Sequence, residues 1–297
     1  MAKKEVSALY FYTLHALVGG LILALSLQIA GGGLSLAGLF NSGPEIATVG
    51  HRGASAYAPE NTLASFRLAQ RMGANYLEMD LQLTRDGEIV LMHDDTVNRT
   101  TNGRGRVNRM TLEQLKKLDA GAWFNKKHPM YAREEYAGEK VPTLREVFEE
   151  FGDEVHYMLE TKEPEASPGL EARLVELAKE YRLEDRVAVQ SFSKDSLRTI
   201  RTLSDKIPLF LLIWHSNQAH ISDRELAEFA RYGTGIASNF QRLNREYVEK
   251  VKSAGLLVYA YTVNYQVNMA KAVGWGVDGV HTDYPDRLAE VIEAASE

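Results

Sequence analysis

"IATVGHRGASAYAPENTLASFRLAQRMGANYLEMDLQL", residues 46–83, decides how this chain folds. A short apolar run, 46–50, reads as a buried strand. A polar loop follows, then "TLASFRLAQRMG", whose apolar residues recur at helical spacing up to Gly73. A second strand, "YLEMDLQL" at 76–83, comes next. Strand, helix and strand in this order form the repeating unit of a parallel sheet, because parallel neighbours need a crossover. The unit recurs. Further strands are read at "EVHYMLE" (154–160), "RVAVQSF" (186–192), "PLFLLIW" (208–214), "GIASN" (235–239), "LLVYAYTV" (256–263) and "DGVHT" (278–282), with amphipathic helical stretches between them. Eight strands alternating with helices over about 250 residues predict an α/β fold, a closed (β/α)8 TIM barrel. An open doubly wound sheet is the alternative, and no G-x-G-x-x-G follows the first strand to favour it.

One connection breaks the rhythm. Between "VLMHDD" and the helix beginning near Thr143, about residues 95–142, the chain holds "NG" and "GRG" turns, one short helix and several aromatics. This predicts a small insertion subdomain after the second strand. Insertions in barrels often cover the loop face that carries chemistry.

Composition narrows the function. The 297 residues carry a net charge of −6, which argues against a nucleic-acid partner. With no cysteine there is no disulfide, thiol nucleophile or Cys-based zinc site. The N-terminus stands apart: Lys3 and Lys4 precede a stretch without Lys, Arg, Asp or Glu from Val6 to Pro44. Residues 1–43 read as a membrane anchor formed by an apolar helix, or as a signal peptide with a small-residue cleavage site ending at Ala37. A buried core helix is disfavoured by the glycines at 31–33. In both leading readings the basic start stays in the cytoplasm, and the body at 44–297 is exported, either to the outer face of the membrane or free of it.

Barrel enzymes gather their chemistry at the C-terminal ends of strands. The first strand ends in His51 and Arg52. The second carries Glu78 and Asp80, two apart and therefore on one face, opposite Leu77, Met79, Leu81 and Leu83. The extension after it delivers His93 and Asp94, the third strand ends in Glu160 followed by Lys162, and the fourth ends in Gln190. Glu-x-Asp pairs usually mark a solvated strand face. Here the acids point into the barrel or its mouth, where burial without a cation is costly. One shared divalent cation is the economical solution, and an all-oxygen set favours Ca²⁺ or Mg²⁺ over zinc. Two histidines beside such a site read as an acid and a base. Arg52 and Lys162 read as anion ligands, suited to a phosphate.

These residues match a known pattern. "HRGASAYAPENT", "YLEMDLQLTRDGEIVLMHDDTVNRTTNG", "LDAGAWF", "VPTLREVFEEF", "LETK", "VQSF", "YTVN" and "GVDGVHTDYPD", in this order from about Ile46 to Leu288, resemble the glycerophosphodiester phosphodiesterase family, in particular its secreted Bacillus-type enzymes. The resemblance implies hydrolysis of a glycerophosphodiester to glycerol 3-phosphate and an alcohol. His51 and His93 would be the general acid and base, and Glu78, Asp80 and Glu160 the ligands of one cation, Ca²⁺ ahead of Mg²⁺. Arg52 and Lys162 would contact phosphate. Glu60 and Asn61 would support the His51–Arg52 loop, with Gln190 a further supporting residue. Trp123 and Phe124 would form an apolar wall beside the substrate or pack the insertion, and Tyr261 and Asn264 are secondary candidates. His281 stands where the family usually has an apolar or aromatic residue. A lysophospholipase D, or a teichoic-acid or phosphoglycan phosphodiesterase acting on a lipid or cell-wall polymer, is the neighbouring enzymatic reading. A non-catalytic, surface-displayed binding protein is the rival from another class, and it predicts the loss of a histidine or metal ligand.

Overall fold

The computed structural model describes Ile46–Ser296; the segment read as anchor or signal peptide, and the boundary drawn at residue 43, lie outside the described residues. Nine strands are present among the described residues: β1 (Ala47–Gly50), β2 (Tyr76–Leu83), β3 (Ile89–Leu91), β4 (His156–Thr161), β5 (Val187–Ser191), β6 (Leu209–Ile213), β7 (Gly235–Asn239), β8 (Leu257–Tyr261) and β9 (Gly279–Thr282). All pair in parallel except β3, which returns antiparallel along β2. The order β1-β9-β8-β7-β6-β5-β4-β2 is closed by a β1–β2 pairing, so the eight parallel strands form a complete barrel. The helices are α1 (Leu63–Arg71), α2 (Leu112–Lys116), α3 (Ala122–Lys127), α4 (Leu144–Phe151), α5 (Leu170–Glu180), α6 (Lys194–Leu203), α7 (Asp223–Phe229), α8 (Arg245–Ser253), α9 (Gln266–Trp275) and α10 (Pro285–Ser296). α1 and α5–α10 each follow a barrel strand, whereas α4 follows the insertion.

The two-residue period of the strands sorts the side chains. Leu77, Met79 and Leu81 of β2 face outward into the large apolar layer under the helices. Inside the barrel the lower level is apolar, built from Val49, Met158, Ala188, Phe210, Ala237 and Tyr259. Gly279 belongs to this packing: a Cβ there would stand 2.5 Å from the Tyr259 ring. Two residues further along the strands the interior turns polar, with Glu160 above Met158, Gln190 above Ala188 and His281 above Gly279. Register aligns this upper level, since Asp80 pairs with Glu160 and Glu160 with Gln190. Apolar filling below thus forces a buried polar layer at the strand ends.

The insertion holds α2, α3 and two 3-10 turns; α2 and the first turn pack a small core of Val90, Met92, Val97, Val107, Leu115, Ala120 and Val141, while Phe124 of α3 and Tyr136 of the second turn join the large core of the barrel. It has two short α-helices where the sequence reading expected one. The second starts because Asp119 Oδ1 accepts from the N–H groups of Gly121 and Ala122, both at 2.8 Å, a local cap inside the stretch "DAGAWF".

Candidate active site

The loop from His51 to Thr62 is folded back onto the barrel mouth by backbone geometry. Arg52, Gly53 and Asn61 all lie at positive φ, and Thr62 caps α1 by accepting from the Ser65 N–H. This bend lets the Arg52 N–H donate to Glu78 Oε2 at 2.7 Å. Asn61 clasps Asp80, donating from Nδ2 to Oδ2 at 2.8 Å and accepting the Asp80 N–H at 3.2 Å. Glu60 accepts from Arg52 Nη1 at 3.0 Å and from both terminal nitrogens of Arg99. The Pro-Glu-Asn-Thr turn therefore braces Asp80 and Arg52 of the site.

Glu78, Asp80 and Glu160 are buried, and one oxygen of each lies within 4.8 Å of the others. Lys162 Nζ donates to Glu160 at 2.8 Å and lies 3.7 Å from Asp80; Arg52 Nε stands 3.3 Å from Asp80. Three carboxylates crowd together out of water, with Arg52, Lys162 and the His51 ring as the nearby positive groups. The crowding is visible in the titration of the group. Burial, then repulsion from Asp80, pushes both Glu78 and Glu160 above the usual carboxylate range. Burial opposes ionisation of Asp80 too, but Arg52, Lys162, His93 and the Asn61 hydrogen bond overcome it and hold Asp80 low. An all-oxygen set of three crowded, buried carboxylates fits a hard divalent cation. Arg52 Nε is itself a buried donor without a hydrogen bond, beside this cluster. That is the unmet capacity an anion would satisfy.

The histidines sit on either side. His51 Nδ1 is 2.6 Å from Asp283 Oδ1, and Asp283 is further held by Ser55 at 3.0 Å and by Asn264 at 2.6 Å. Burial and Arg52 push His51 down, yet Asp283 and Glu78 outweigh them and its pKa is raised. Asp283 in turn is held down to about 2, the His51 charge and three hydrogen bonds prevailing over burial. His93 Nδ1 is 2.9 Å from Asp94 Oδ1. Asp94 is already engaged by Arg99, through Nε and Nη2 at 2.8 Å each, so its charge is largely spent. Burial first, with Arg52 and Lys162 in support, lowers His93 despite the attraction of Asp80. In both rings Nδ1 is tied to a carboxylate, which leaves Nε2 to exchange a proton.

A cavity of about 640 Å³ opens beside this cluster, lined among others by His93, Glu160, Lys162, Glu163 and Phe192. The apolar wall expected of Trp123 and Phe124 is not there. Phe124 is fully buried against His128 and Tyr136, and Trp123 donates its indole N–H to Ala120 O at 2.9 Å within the insertion. They pack α3, whose capped start turns them inward. The aromatic exposed at the cavity is Phe192, 52 % accessible and edge-on to Tyr261, directly after β5. Tyr261 is committed to Ile213 O at 2.9 Å. Gln190 Nε2 donates to Glu78 Oε1 at 3.2 Å, and His281 Nε2 lies 3.1 Å from Gln190 Oε1. Asp283 and Arg99 are participants that sequence reasoning missed. The strand-end rule could have found Asp283, which follows β9. Nothing in the sequence marks Arg99, which reaches Glu60 from the insertion.

The sequence model of the Glycerophosphoryl diester phosphodiesterase family matches residues 51–287. A glycerophosphodiester phosphodiesterase of Bacillus subtilis (strain 168) is 43% identical over 252 residues, covering 83% of this chain and 86% of that protein. Among solved structures, a putative glycerophosphoryl diester phosphodiesterase from Silicibacter pomeroyi superposes with a TM-score of 0.76 at 26% identity, covering 88% of this chain and 97% of that one. A phosphodiesterase of Oleispira antarctica in complex with the product sn-glycerol-3-phosphate gives 0.72 at 31% identity, over 82% of this chain and 96% of that one. A match to the family over nearly the whole barrel, with the buried acids and both histidines of the motifs in place, makes this chain a member of the glycerophosphoryl diester phosphodiesterase family.

Proposed function

We propose that this chain hydrolyses glycerophosphodiesters to glycerol 3-phosphate and an alcohol, using His51 and His93 as acid and base beside a cation site. The observation that carries the reading is the convergence of the buried carboxylates of Glu78, Asp80 and Glu160, flanked by two histidines each held through Nδ1. The names of the relatives, and the product held by the Oleispira antarctica protein, supply the substrate class.

Arg52 and Lys162 would grip the phosphate oxygens and orient the diester across the mouth. A divalent cation held by the three acids, Ca²⁺ ahead of Mg²⁺, would supply positive charge against the phosphoryl oxygens. The division of labour between the histidines follows from their partners. His93, lowered and neutral, takes the proton of the attacking hydroxyl on Nε2. His51, raised by Asp283, keeps its proton and gives it to the departing alcohol as the phosphorus–oxygen bond breaks. We also propose that the apolar segment behind Lys3 and Lys4 carries the body out of the cytoplasm.

The test offers the purified protein glycerophosphocholine, glycerophosphoglycerol, lysophosphatidylcholine and a wall polymer, with and without chelator. Release of glycerol 3-phosphate that is lost on chelation and restored by Ca²⁺ or Mg²⁺ is expected. His51→Ala and His93→Ala should each lower turnover by about 10² or more. Full turnover in excess chelator, with metal content confirmed as nil, removes the cation. Preference for the lysolipid or the polymer replaces the substrate.

A further inference from the structure

Gln190, at the end of β5, stands between two buried groups that reach into the barrel from other strands. Its Nε2 is 3.2 Å from Glu78 Oε1 on β2, and its Oε1 is 3.1 Å from His281 Nε2 on β9. None of the three is more than 2 % exposed. Once it ligates a cation Glu78 is a carboxylate that only accepts hydrogen bonds, so in that state the amide shows Glu78 its nitrogen and His281 its oxygen. That oxygen needs a donor, and the donor is a proton on His281 Nε2. The same assignment leaves His281 Nδ1 as a bare lone pair, and Nδ1 is indeed a buried atom without a hydrogen-bond partner. Burial, with the nearby His51 charge, outweighs the pull of the Ala260 backbone and drives the ring down to about 3, so it is neutral and has a single N–H, for which Ala260 is the competing acceptor.

We infer that His281 is a positioning residue for the cation site: its Nε2–H fixes the Gln190 amide, and the fixed amide holds Glu78 in its ligating orientation. The role rests on Glu78, Asp80 and Glu160 being the cation ligands proposed above. Glu78 is gripped from two sides, through Oε2 by the Arg52 N–H at 2.7 Å and through Oε1 by Gln190. Remove the donor at 281 and the amide is free to turn, setting its oxygen against a carboxylate oxygen. Second partners of this kind orient metal ligands, and their loss costs about 10- to 100-fold in affinity. Filling space is a separable task. The Tyr259 and Tyr261 rings stand 6.0 and 6.3 Å from the imidazole, and a phenyl ring would occupy the same gap.

His281→Phe keeps the ring and removes the donor. The full-length protein, stripped with chelator, is titrated with Ca²⁺ and separately with Mg²⁺ by calorimetry, so that activity is not the readout. Affinity should fall about 10- to 100-fold in His281→Phe and in Gln190→Leu, with the double variant no weaker than the worse single one. Thermal unfolding of the stripped variants is followed in parallel; a purely space-filling residue would move that midpoint and leave the affinity alone. Undiminished affinity in His281→Phe overturns the role. Should that variant not fold, the wild type decides: in protein labelled with ¹⁵N-histidine, His281 should show a protonated Nε2 and a bare Nδ1. A protonated Nδ1 overturns the role. If the wild type binds neither ion, the cation reading falls and this role with it. Tight wild-type binding with no loss in the variant removes the role alone.

Discussion

Asp283 shows how one side chain sets a proton's fate. Its carboxylate lies against His51 Nδ1 and is the main reason that this buried imidazole, beside Arg52, is not driven neutral. A raised histidine holds its proton below its own pKa and loses it as pH rises through that value, so an acid role for His51 is exercised on the low side and fails on the high side. Asp283→Asn removes the anion and lowers the His51 pKa. The alkaline limb of the pH–turnover profile should therefore move to lower pH, with turnover near neutrality falling by about 10². An unmoved alkaline limb would assign the acid elsewhere. At this scale the sequence spoke through residue type and strand-end position. That was enough to bring His51, His93, Glu78, Asp80 and Glu160 together, because the histidines closely follow strands, Glu160 is next to last in its strand, and Glu78 and Asp80 share one face of β2. It failed for Arg99, whose partners lie 39 residues away along the chain at Glu60 and only 5 away at Asp94, a pairing that periodicity does not encode. For Trp123 and Phe124 it left a substrate wall and packing of the insertion both open, and the rings take the second.

At the scale of the element, the turn after β1 is the most constrained piece of backbone in the site. Gly53 sits at φ +85°, and a Cβ there would meet Ser65 Oγ at 2.3 Å and the Ser65 carbonyl carbon at 2.6 Å. Gly53→Ala should cost about 1–2 kcal/mol for the left-handed backbone alone, before the clash with α1 is counted. Because the same turn delivers the Arg52 N–H to Glu78, the loss should appear as weakened phosphate and cation binding as well as a lower unfolding midpoint. A midpoint and turnover both at the wild-type level would show that the turn is more pliant than its contacts imply. The strands themselves were legible because β-branched and aromatic runs alternate with helical spacing throughout. The antiparallel β3 was not distinguished as a strand, since three residues carry too little pattern to separate it from the extension after β2.

Over the whole molecule, the barrel divides into an apolar lower plug and a charged upper layer, and the layer works against the fold. Glu78 binds its proton more tightly in the folded chain than in an unfolded one, since burial and Asp80 raise its pKa. A group shifted upward in this way favours folding at low pH and penalises it once pH passes the unfolded value, so at neutrality the empty barrel is destabilised by the need to protonate Glu78. The cation reverses this. At 100 times its dissociation constant a ligand adds about 2.7 kcal/mol, worth roughly 5–11 °C in a domain of this size. Glu78→Gln should consequently do two opposite things. It should raise the unfolding midpoint of the chelated protein, because an uncharged amide replaces the repelled carboxylate. It should also abolish most of the midpoint gain that Ca²⁺ gives the wild type, because a ligand is missing. Scanning calorimetry of both proteins, stripped and Ca²⁺-loaded, reads the four values directly. A chelated variant less stable than the chelated wild type would mean that the hydrogen bonds from Arg52 and Gln190 to Glu78 outweigh its charge. A variant that gains as much from Ca²⁺ as the wild type would take Glu78 out of the cation site.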